Sequence, residues 1–168
     1  MDLLAKALKA KTREDTIALT QDFLKTRQTR RNSAGLSRNL IDFERQREWV
    51  EGIGRYAELS TYRLAEHTDY STIQEKFNLS NFNNYEKFDQ RWMREIGEFK
   101  RLANDASERR FYYTGMAQAV LLDRLAPGWQ TELFEPGVWL EDILAETMSI
   151  ETKTESRQLF PKFLLVMR

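Results

Sequence analysis

The sequence predicts a single all-α domain, and three observations lead to this prediction. Its 168 residues are enough for one domain with a substantial core, and 41% hydrophobic against 31% charged residues is ordinary for a globular protein. Apolar residues recur at helical spacing, most regularly where Phe88, Trp92, Ile96 and Phe99 follow one another at steps of four, four and three. No stretch alternates as a sheet requires. We therefore expect an irregular bundle of about five main helices with one or two short ones over residues 1–168.

Caps and breakers divide the chain into these helices. Thr12 with Asp15 three residues later is a weak capping box, and Ser37 or Asn39 begins the longest helix. A Pro-Gly pair at residues 127–128 ends the helix that is richest in small and apolar residues. The helices are predicted near residues 12–31, 37–67, 71–77, 85–103, 105–125 and 138–148, with a lead-in over 1–11 and a tail over 149–168.

The charges of the chain balance overall but are distributed unevenly. Lys+Arg and Asp+Glu both number 26, whereas a nucleic-acid-binding protein is usually basic. Between Lys25 and Arg47 seven basic residues stand against two acids, and between Glu132 and Glu155 seven acids stand against one lysine. Phe43 is the one aromatic residue among these arginines, whereas a nucleic-acid groove has several interleaved with its basic residues. We expect the two charged surfaces to face each other or water, and no nucleic-acid partner.

Several classes of site lack the residues that they need. The chain has no cysteine, which removes disulfides, thiolate metal ligands and cysteine nucleophiles. Its only histidine, His67, is interpreted as a cation at a helix C-terminus. Neither a Gly-x-Ser-x-Gly motif nor a glycine-rich phosphate loop occurs. The apolar run at the start is too short for a signal peptide, and no stretch reaches the ~20 apolar residues of a membrane span, so no membrane partner is expected.

The most unusual stretch is residues 48–66, a predicted helix with Gly52 and Gly54 near its middle. Each glycine costs about 1 kcal/mol relative to alanine in a helix interior. Two glycines within three residues therefore indicate a place where something approaches the backbone closely. Glu51 lies directly beside them, which makes this carboxylate the first candidate for a functional group.

The spacing of the charges around Glu51 also has a simple structural interpretation. Glu44, Glu51 and Glu58 follow one another at steps of seven and would share a helix face. Arg47 precedes Glu51 by four residues and Arg55 follows it by four, which is typical of a salt-bridge ladder on a solvated surface. An enzyme that uses Glu51 and Glu58 as paired carboxylates is a weaker alternative, because about 10–11 Å along the axis suits neither glycosidase geometry.

The stretch Glu51-Gly52-Ile53-Gly54-Arg55-Tyr56-Ala57-Glu58 resembles the Glu-Gly-Leu-Ala-x-Tyr-x-Glu stretch of gluzincin-type zinc metallopeptidases. In that family the stretch follows a His-Glu-x-x-His helix, and its first glutamate is the third zinc ligand. The resemblance implies that Glu51 is this ligand. It further implies that the small residues Gly52 and Gly54 admit a neighbouring helix. The polar residues Arg55, Tyr56 and Glu58 would support the ligand.

Two later segments, residues 110–129 and 138–144, resemble the C-terminal helical part of bacterial proteins with such a peptidase core. The whole resemblance extends from about Phe43 to Glu146. It implies that Tyr112 or Tyr113 donates a hydrogen bond to the tetrahedral oxyanion of the reaction. The other interpretation of both tyrosines is packing in the core, with a buried partner for the hydroxyl group.

The chain departs from the family in having no His-Glu-x-x-His, the motif that supplies two zinc ligands and the catalytic glutamate. The resemblance therefore implies either the C-terminal part of a gluzincin-like peptidase or an inactive relative. No catalysis and no cofactor are expected from this chain alone, and zinc would belong to a parent protein with a catalytic subdomain. Loss of that subdomain would expose apolar surface around Val50, Ile53 and Tyr56, so we expect a homo-oligomer.

The alternative is a non-catalytic helical module for protein interaction, in which Glu51 only stabilises the helix surface. The position of Glu51 distinguishes the two hypotheses. A concave notch lined by Gly52, Gly54 and a tyrosine favours the peptidase relationship. A convex surface between Arg47 and Arg55 favours the interaction module.

Overall fold

The helices begin and end close to the predicted caps. The computed structural model describes residues 1–67, 87–102, 105 and 107–150. Its elements are α1 (Asp2–Lys9), α2 (Arg13–Ser33), α3 (Arg38–Arg47), a π-helical turn (Glu48–Gly52), α4 (Ile53–His67), α5 (Phe88–Leu102), α6 (Arg109–Leu125), a 3₁₀ turn (Trp129–Thr131) and α7 (residues 140–150). These residues contain no strand, so the all-α prediction is confirmed. The helix expected over 71–77 and most of the expected tail, residues 151–168, lie outside the described residues.

Side-chain caps fix the starts of α2 and α3. The Thr12 hydroxyl oxygen accepts a 3.0 Å hydrogen bond from the amide of Asp15 at the start of α2. The Ser37 hydroxyl oxygen accepts one from the amide of Leu40, so α3 begins after Ser37 and not after Asn39. Each cap satisfies an amide that lacks a partner within its own helix.

The centre of the fold is α6, which contacts α1, α2, α3, the π-helical turn, α4 and α5. Its side chains are buried almost all round the helix, as expected for a helix without a continuous polar face. Met116, Leu121 and Leu122 are fully buried, and each contributes about 1.5–3 kcal/mol by leaving water. The other described helices up to α5 are arranged around this buried helix.

The π-helical turn Glu48–Gly52 changes which side chains share a face. A π turn contains more residues than an α turn, and such turns are rare and often lie at functional sites. Glu44, before the turn, is 6% exposed, whereas Glu51 within it is only partly buried. Glu44 and Glu51, seven residues apart, therefore do not share the helix face that the sequence predicts for them.

The same turn crosses α6 at a pair of glycines. A Cβ atom added to Gly52 would lie 2.7 Å from the carbonyl carbon of Gly115 and 2.9 Å from the amide nitrogen of Met116. A Cβ atom added to Gly115 would lie 2.8 Å from the Cα atom of Gly52. Only residues without side chains permit this approach. Gly52 thus has the close backbone neighbour that the sequence predicts, and this neighbour is the chain's own α6. A Cβ atom on Gly54 would meet no atom of the described residues within 4 Å.

None of the described helices is both long enough and apolar enough to cross a membrane.

Candidate functional site

Glu51 lies on a partly exposed surface, in contact with an arginine and a tyrosine. Its carboxylate accepts a 3.2 Å hydrogen bond from Arg47, one turn earlier, and its side chain is 25% exposed. The Tyr112 hydroxyl also donates to Glu51, and this bond raises the pKa of the tyrosine. Arg47 in turn forms a second ion pair with Glu108 at 2.8 Å. The Arg47–Glu51 pair is thus one step of the expected salt-bridge ladder.

Arg55 and Glu58 belong to a different cluster, between α4 and α5. Arg55 forms a two-pronged pair with Glu95, at 2.8 and 3.0 Å, and also binds Glu58 at 2.8 Å. Arg91 completes the cluster by binding Glu58 at 2.6 Å and Glu95 at 2.7 Å. The Tyr113 hydroxyl lies 3.3 Å from Arg55, and burial, together with the charge of Glu95, raises the pKa of this tyrosine. Arg55 therefore pairs with Glu58 and Glu95, and its predicted pair with Glu51 is not among its contacts.

Tyr56 belongs to a third cluster, on the opposite end of α6 from Tyr112. Its hydroxyl donates a 2.8 Å hydrogen bond to the carboxylate of Asp123. The indole of the buried Trp129 donates to the same oxygen at 3.0 Å, and its ring packs edge-on against Tyr56. Burial and the Asp123 carboxylate raise the pKa of Tyr56. The hydroxyl of Tyr56 is thus used to connect α4 with the end of α6.

The residues that the peptidase resemblance groups around Glu51 are therefore distributed over three separate clusters. The described residues contain no group of three or more His, Cys, Asp or Glu side chains that could hold a metal ion. The side chains that contact Glu51 are Arg47 and Tyr112, and an arginine has no lone pair to offer a cation. The residues around Glu51 do not fit a zinc ion. His67 is the last residue of α4, and its side chain lies outside the described part of the chain.

The basic segment 25–47 and the acidic segment 132–155 meet in the interior of the protein. Of the two arrangements expected from the sequence, facing each other or facing water, this contact is the first. Arg31, 1% exposed in its side chain, binds both oxygens of Glu141 at 2.7 and 2.9 Å and donates to Glu44 at 3.1 Å. Arg45 adds a 3.1 Å pair with Asp142. These contacts connect α2 and α3 with α7 through charge-assisted hydrogen bonds, which are stronger than neutral ones.

Glu48, in the π-helical turn, is a further carboxylate of this network, and both of its oxygen atoms accept hydrogen bonds. It is 2% exposed and accepts hydrogen bonds from Arg27 at 2.7 Å, from Thr114 at 2.6 Å and from Gln118 at 2.9 Å. Sequence reasoning concentrated on Glu51 and overlooked Glu48 and Arg27. A signal was nevertheless present, because Arg27 and Arg31 continue the helical face that begins with Thr16, Thr20 and Phe23.

A cleft opens beside this network, between the second half of α2, the α3–π segment and the start of α6. Its volume is about 260 Å³. Apolar walls are formed by Phe23 and Phe111, and cationic groups by Arg27, Arg30 and Arg110. The sequence pattern did not predict this cleft, because its walls come from segments about 20 and about 80 residues apart.

A scan against protein-family models found no match for this chain, and searches of curated proteins and of solved structures found none either. The case for a function therefore depends on the geometry of this molecule and on the chemistry of its side chains.

Proposed function

We propose that this chain is a non-catalytic helical module that acts by binding. In this proposal the chain corresponds to an inactive relative of gluzincin-like peptidases or to their helical C-terminal part. The segment that resembles the zinc-ligand stretch then has a structural role. The observation that carries the proposal is the arrangement at Glu51: its carboxylate is bound by Arg47 and Tyr112, while the adjacent Gly52 packs against Gly115.

Two physical arguments support a structural role for Glu51. A carboxylate that ligates zinc needs further nitrogen or oxygen ligands converging on the same point, and Glu51 has a guanidinium instead. The space beside Gly52 is filled by the backbone of α6, so another helix cannot pack there without displacing α6. Both arguments favour the interaction module over a metal site completed by another subdomain.

The cleft supports the proposal that the module acts by binding a ligand. Ligand sites in proteins are concave and mostly apolar, with a few polar groups that orient the ligand. The cleft has this character, because Phe23 and Phe111 form its walls and arginines line it. It lies beside the buried ion network, whose charge-assisted contacts hold α2, α3 and α6 in fixed positions around it.

Metal binding by the full chain tests the proposal. The purified protein is dialysed against Zn²⁺, and bound zinc is measured for the wild type and for Glu51→Gln. We expect substoichiometric zinc in both and no cleavage of a general peptidase substrate. One zinc per wild-type chain that is lost in Glu51→Gln would overturn the proposal and favour the peptidase relationship.

We also propose that the chain self-associates, with a second copy covering the exposed apolar side chains of α3 and the π-helical turn. Leu40 is 52% exposed, Phe43 39% and Val50 49%. Leu40 and Phe43 are three residues apart on α3 and so are neighbours on its surface, and Val50 follows in the π-helical turn. Ile53 and Tyr56, which the sequence places in the same patch, are partly buried against the chain's own core. The apolar surface available to a partner is therefore displaced toward α3.

A further inference from the structure

The cleft between α2, the α3–π segment and α6 contains a buried cation whose hydrogen-bonding capacity is not used. Arg27 lines the cleft, and its side chain is 6% exposed. Its Nη2 atom donates to Glu48 at 2.7 Å, while its Nε atom lies 3.6 Å from Glu141, beyond hydrogen-bond range. Its Nη1 atom is buried and has no hydrogen-bond partner among the residues that the structure describes. Buried donors are nearly always paired in folded proteins, so this guanidinium has a donor that an anionic ligand in the cleft would satisfy.

The carboxylates that line the cleft already accept hydrogen bonds from donors within the protein. Both oxygens of Glu44 accept from Arg30, and one also accepts from Arg31. Both oxygens of Glu48 are bound within the network described above. The Asp105 carboxylate accepts from the amide of Ser107 at 2.7 Å. Glu44 and Glu48 therefore have no oxygen atom without a hydrogen-bond donor, so these two carboxylates of the ion network are already compensated within the protein.

The basic groups retain donors that can reach a ligand. Arg30 binds Glu44 through a single nitrogen, Nη2, and its side chain is half exposed. Arg110 packs its guanidinium over the ring of Phe111, and it forms no ion pair with any residue that the structure describes. The cleft therefore favours an anion, bound between a buried guanidinium and two more accessible ones.

The walls of the cleft indicate what accompanies the anionic group. Phe23, Phe111, Leu3 and Met1 line the cleft, and apolar surface predominates over polar surface within it. Its volume of about 260 Å³ exceeds the roughly 150 Å³ of a cavity that holds benzene, which leaves room for a ring with a short substituent. A free phosphate ion would leave these walls in contact with water.

We propose that this cleft binds a small monocarboxylate with a compact apolar body, such as an aryl-substituted acid. The carboxylate accepts hydrogen bonds from Nη1 of Arg27 and from Arg110, and the apolar body packs between Phe23 and Phe111. Guanidinium groups match the planar geometry of a carboxylate, which is why the acidic group is assigned to the arginine side. This inference rests on the proposed function, because it names the class of ligand that the binding module accepts.

The test uses the full chain and three probes: phenylacetate, the uncharged phenylacetamide and inorganic phosphate. Two-dimensional amide NMR spectra are recorded during titration with each probe. We expect saturable shifts around Arg27 and Phe111 with phenylacetate, at least about tenfold weaker binding of the amide, and weak or no binding of phosphate. Equal affinities for acid and amide would overturn the assignment of the anion site. If phosphate binds as tightly as phenylacetate, the proposal that the ligand has an apolar body is wrong.

Variants separate recognition in the cleft from stability of the fold. Arg110→Gln removes a cation that has no ion pair, and we expect it to weaken phenylacetate binding by about fivefold or more while the unfolding midpoint stays unchanged. Arg27→Lys keeps a positive charge opposite Glu48 but removes Nη1, and it should weaken binding further. The control, Arg38→Gln, removes an exposed arginine paired with Asp42 and should bind as the wild type does. Unchanged affinity in Arg110→Gln would contradict the proposal.

Absence of phenylacetate binding would refute this inference alone, whereas stoichiometric zinc at Glu51 would refute the proposed function.

Discussion

Gly52 and Gly115 are in direct backbone contact where the π-helical turn crosses α6. A methyl group on either glycine would overlap the backbone of the other helix. This contact fixes the position of the turn against α6, and the hydrogen bonds from Thr114 and Gln118 to Glu48 lie within one turn of it. The glycine that resembles part of a zinc-ligand motif thus has a demonstrable packing role in this chain.

Gly52→Ala is expected to destabilise the protein by about 2–3 kcal/mol, because the added methyl group meets backbone atoms that cannot move aside easily. Gly54→Ala is the matched control. In the part of the chain that the structure describes, a Cβ atom there meets nothing within 4 Å, so the higher helix propensity of alanine should stabilise the protein by about 0.5–1 kcal/mol. Urea unfolding followed by circular dichroism measures both. Equal stabilities of the two variants would contradict the close approach.

Glu48→Gln is expected to lower the free energy of unfolding by about 3 kcal/mol. The substitution leaves the buried charge of Arg27 without its nearest counterion. Glu51→Gln, in the same turn, removes a partly exposed pair with Arg47 and should lower it by about 0.5 kcal/mol or less. Comparison of the two unfolding midpoints checks the assignment, and a larger loss in Glu51→Gln would show that the roles are reversed.

Stability is expected to fall in acid because of the carboxylates in the interior network. Burial alone would raise the pKa of Glu141, but the charges of Arg27 and Arg31 outweigh it and hold that pKa below its usual value. Glu44 behaves in the same way, with Arg30 as the main opposing charge. A carboxylate with a lowered folded-state pKa contributes stability above its unfolded pKa of about 4.3, and this contribution is lost as the pH falls through the folded value.

The free energy of unfolding should therefore be nearly constant at neutral pH and decrease from about pH 5 downward. Urea midpoints across this range measure the effect. In Glu141→Gln the decrease should be shallower, since one of the responsible groups no longer titrates. An acid dependence as steep as that of the wild type would exclude Glu141 as a contributor.

A double-mutant cycle between Arg31 and Glu141, each replaced by Met, should give a coupling energy of about 2–3 kcal/mol. Both side chains are buried, and their contact is two-pronged. The same cycle on the exposed pair Arg38 and Asp42 should give about 0.5 kcal/mol or less. Indistinguishable coupling energies would mean that the interior pair contributes no more than a surface one.

Self-association is expected to depend on the apolar side chains of α3 and the π-helical turn. Light scattering at high concentration should show a dimer or larger assembly for the wild type and a monomer for Leu40→Glu combined with Val50→Glu. Both residues are about half exposed, so the folded monomer should tolerate the change. Met93→Glu, which alters an exposed residue on α5, is the control. A monomeric wild type would refute the proposed homo-oligomer.

Much of the fold could be predicted from the sequence, because helix boundaries and buried faces depend on neighbouring residues. The caps at Thr12 and Ser37 and the apolar spacing of α5 are local signals of this kind. The attraction between the two charged segments was also foreseeable, although the particular pair of Arg31 with Glu141 was not. The candidate site was predicted less well: the sequence pattern favours Glu51, whereas the buried carboxylate of the same turn is Glu48.

By itself the sequence determined that the chain forms helices, where α2 and α3 begin, and that something lies close to Gly52. Only the tertiary structure decided that this neighbour is Gly115, 63 positions later, and that a π-helical turn separates the faces of Glu44 and Glu51. The physical reason is the separation along the chain of the residues that interact. Hydrogen bonds between successive turns are encoded locally, whereas burial of a charge or an approach of two backbones depends on which distant helix packs there.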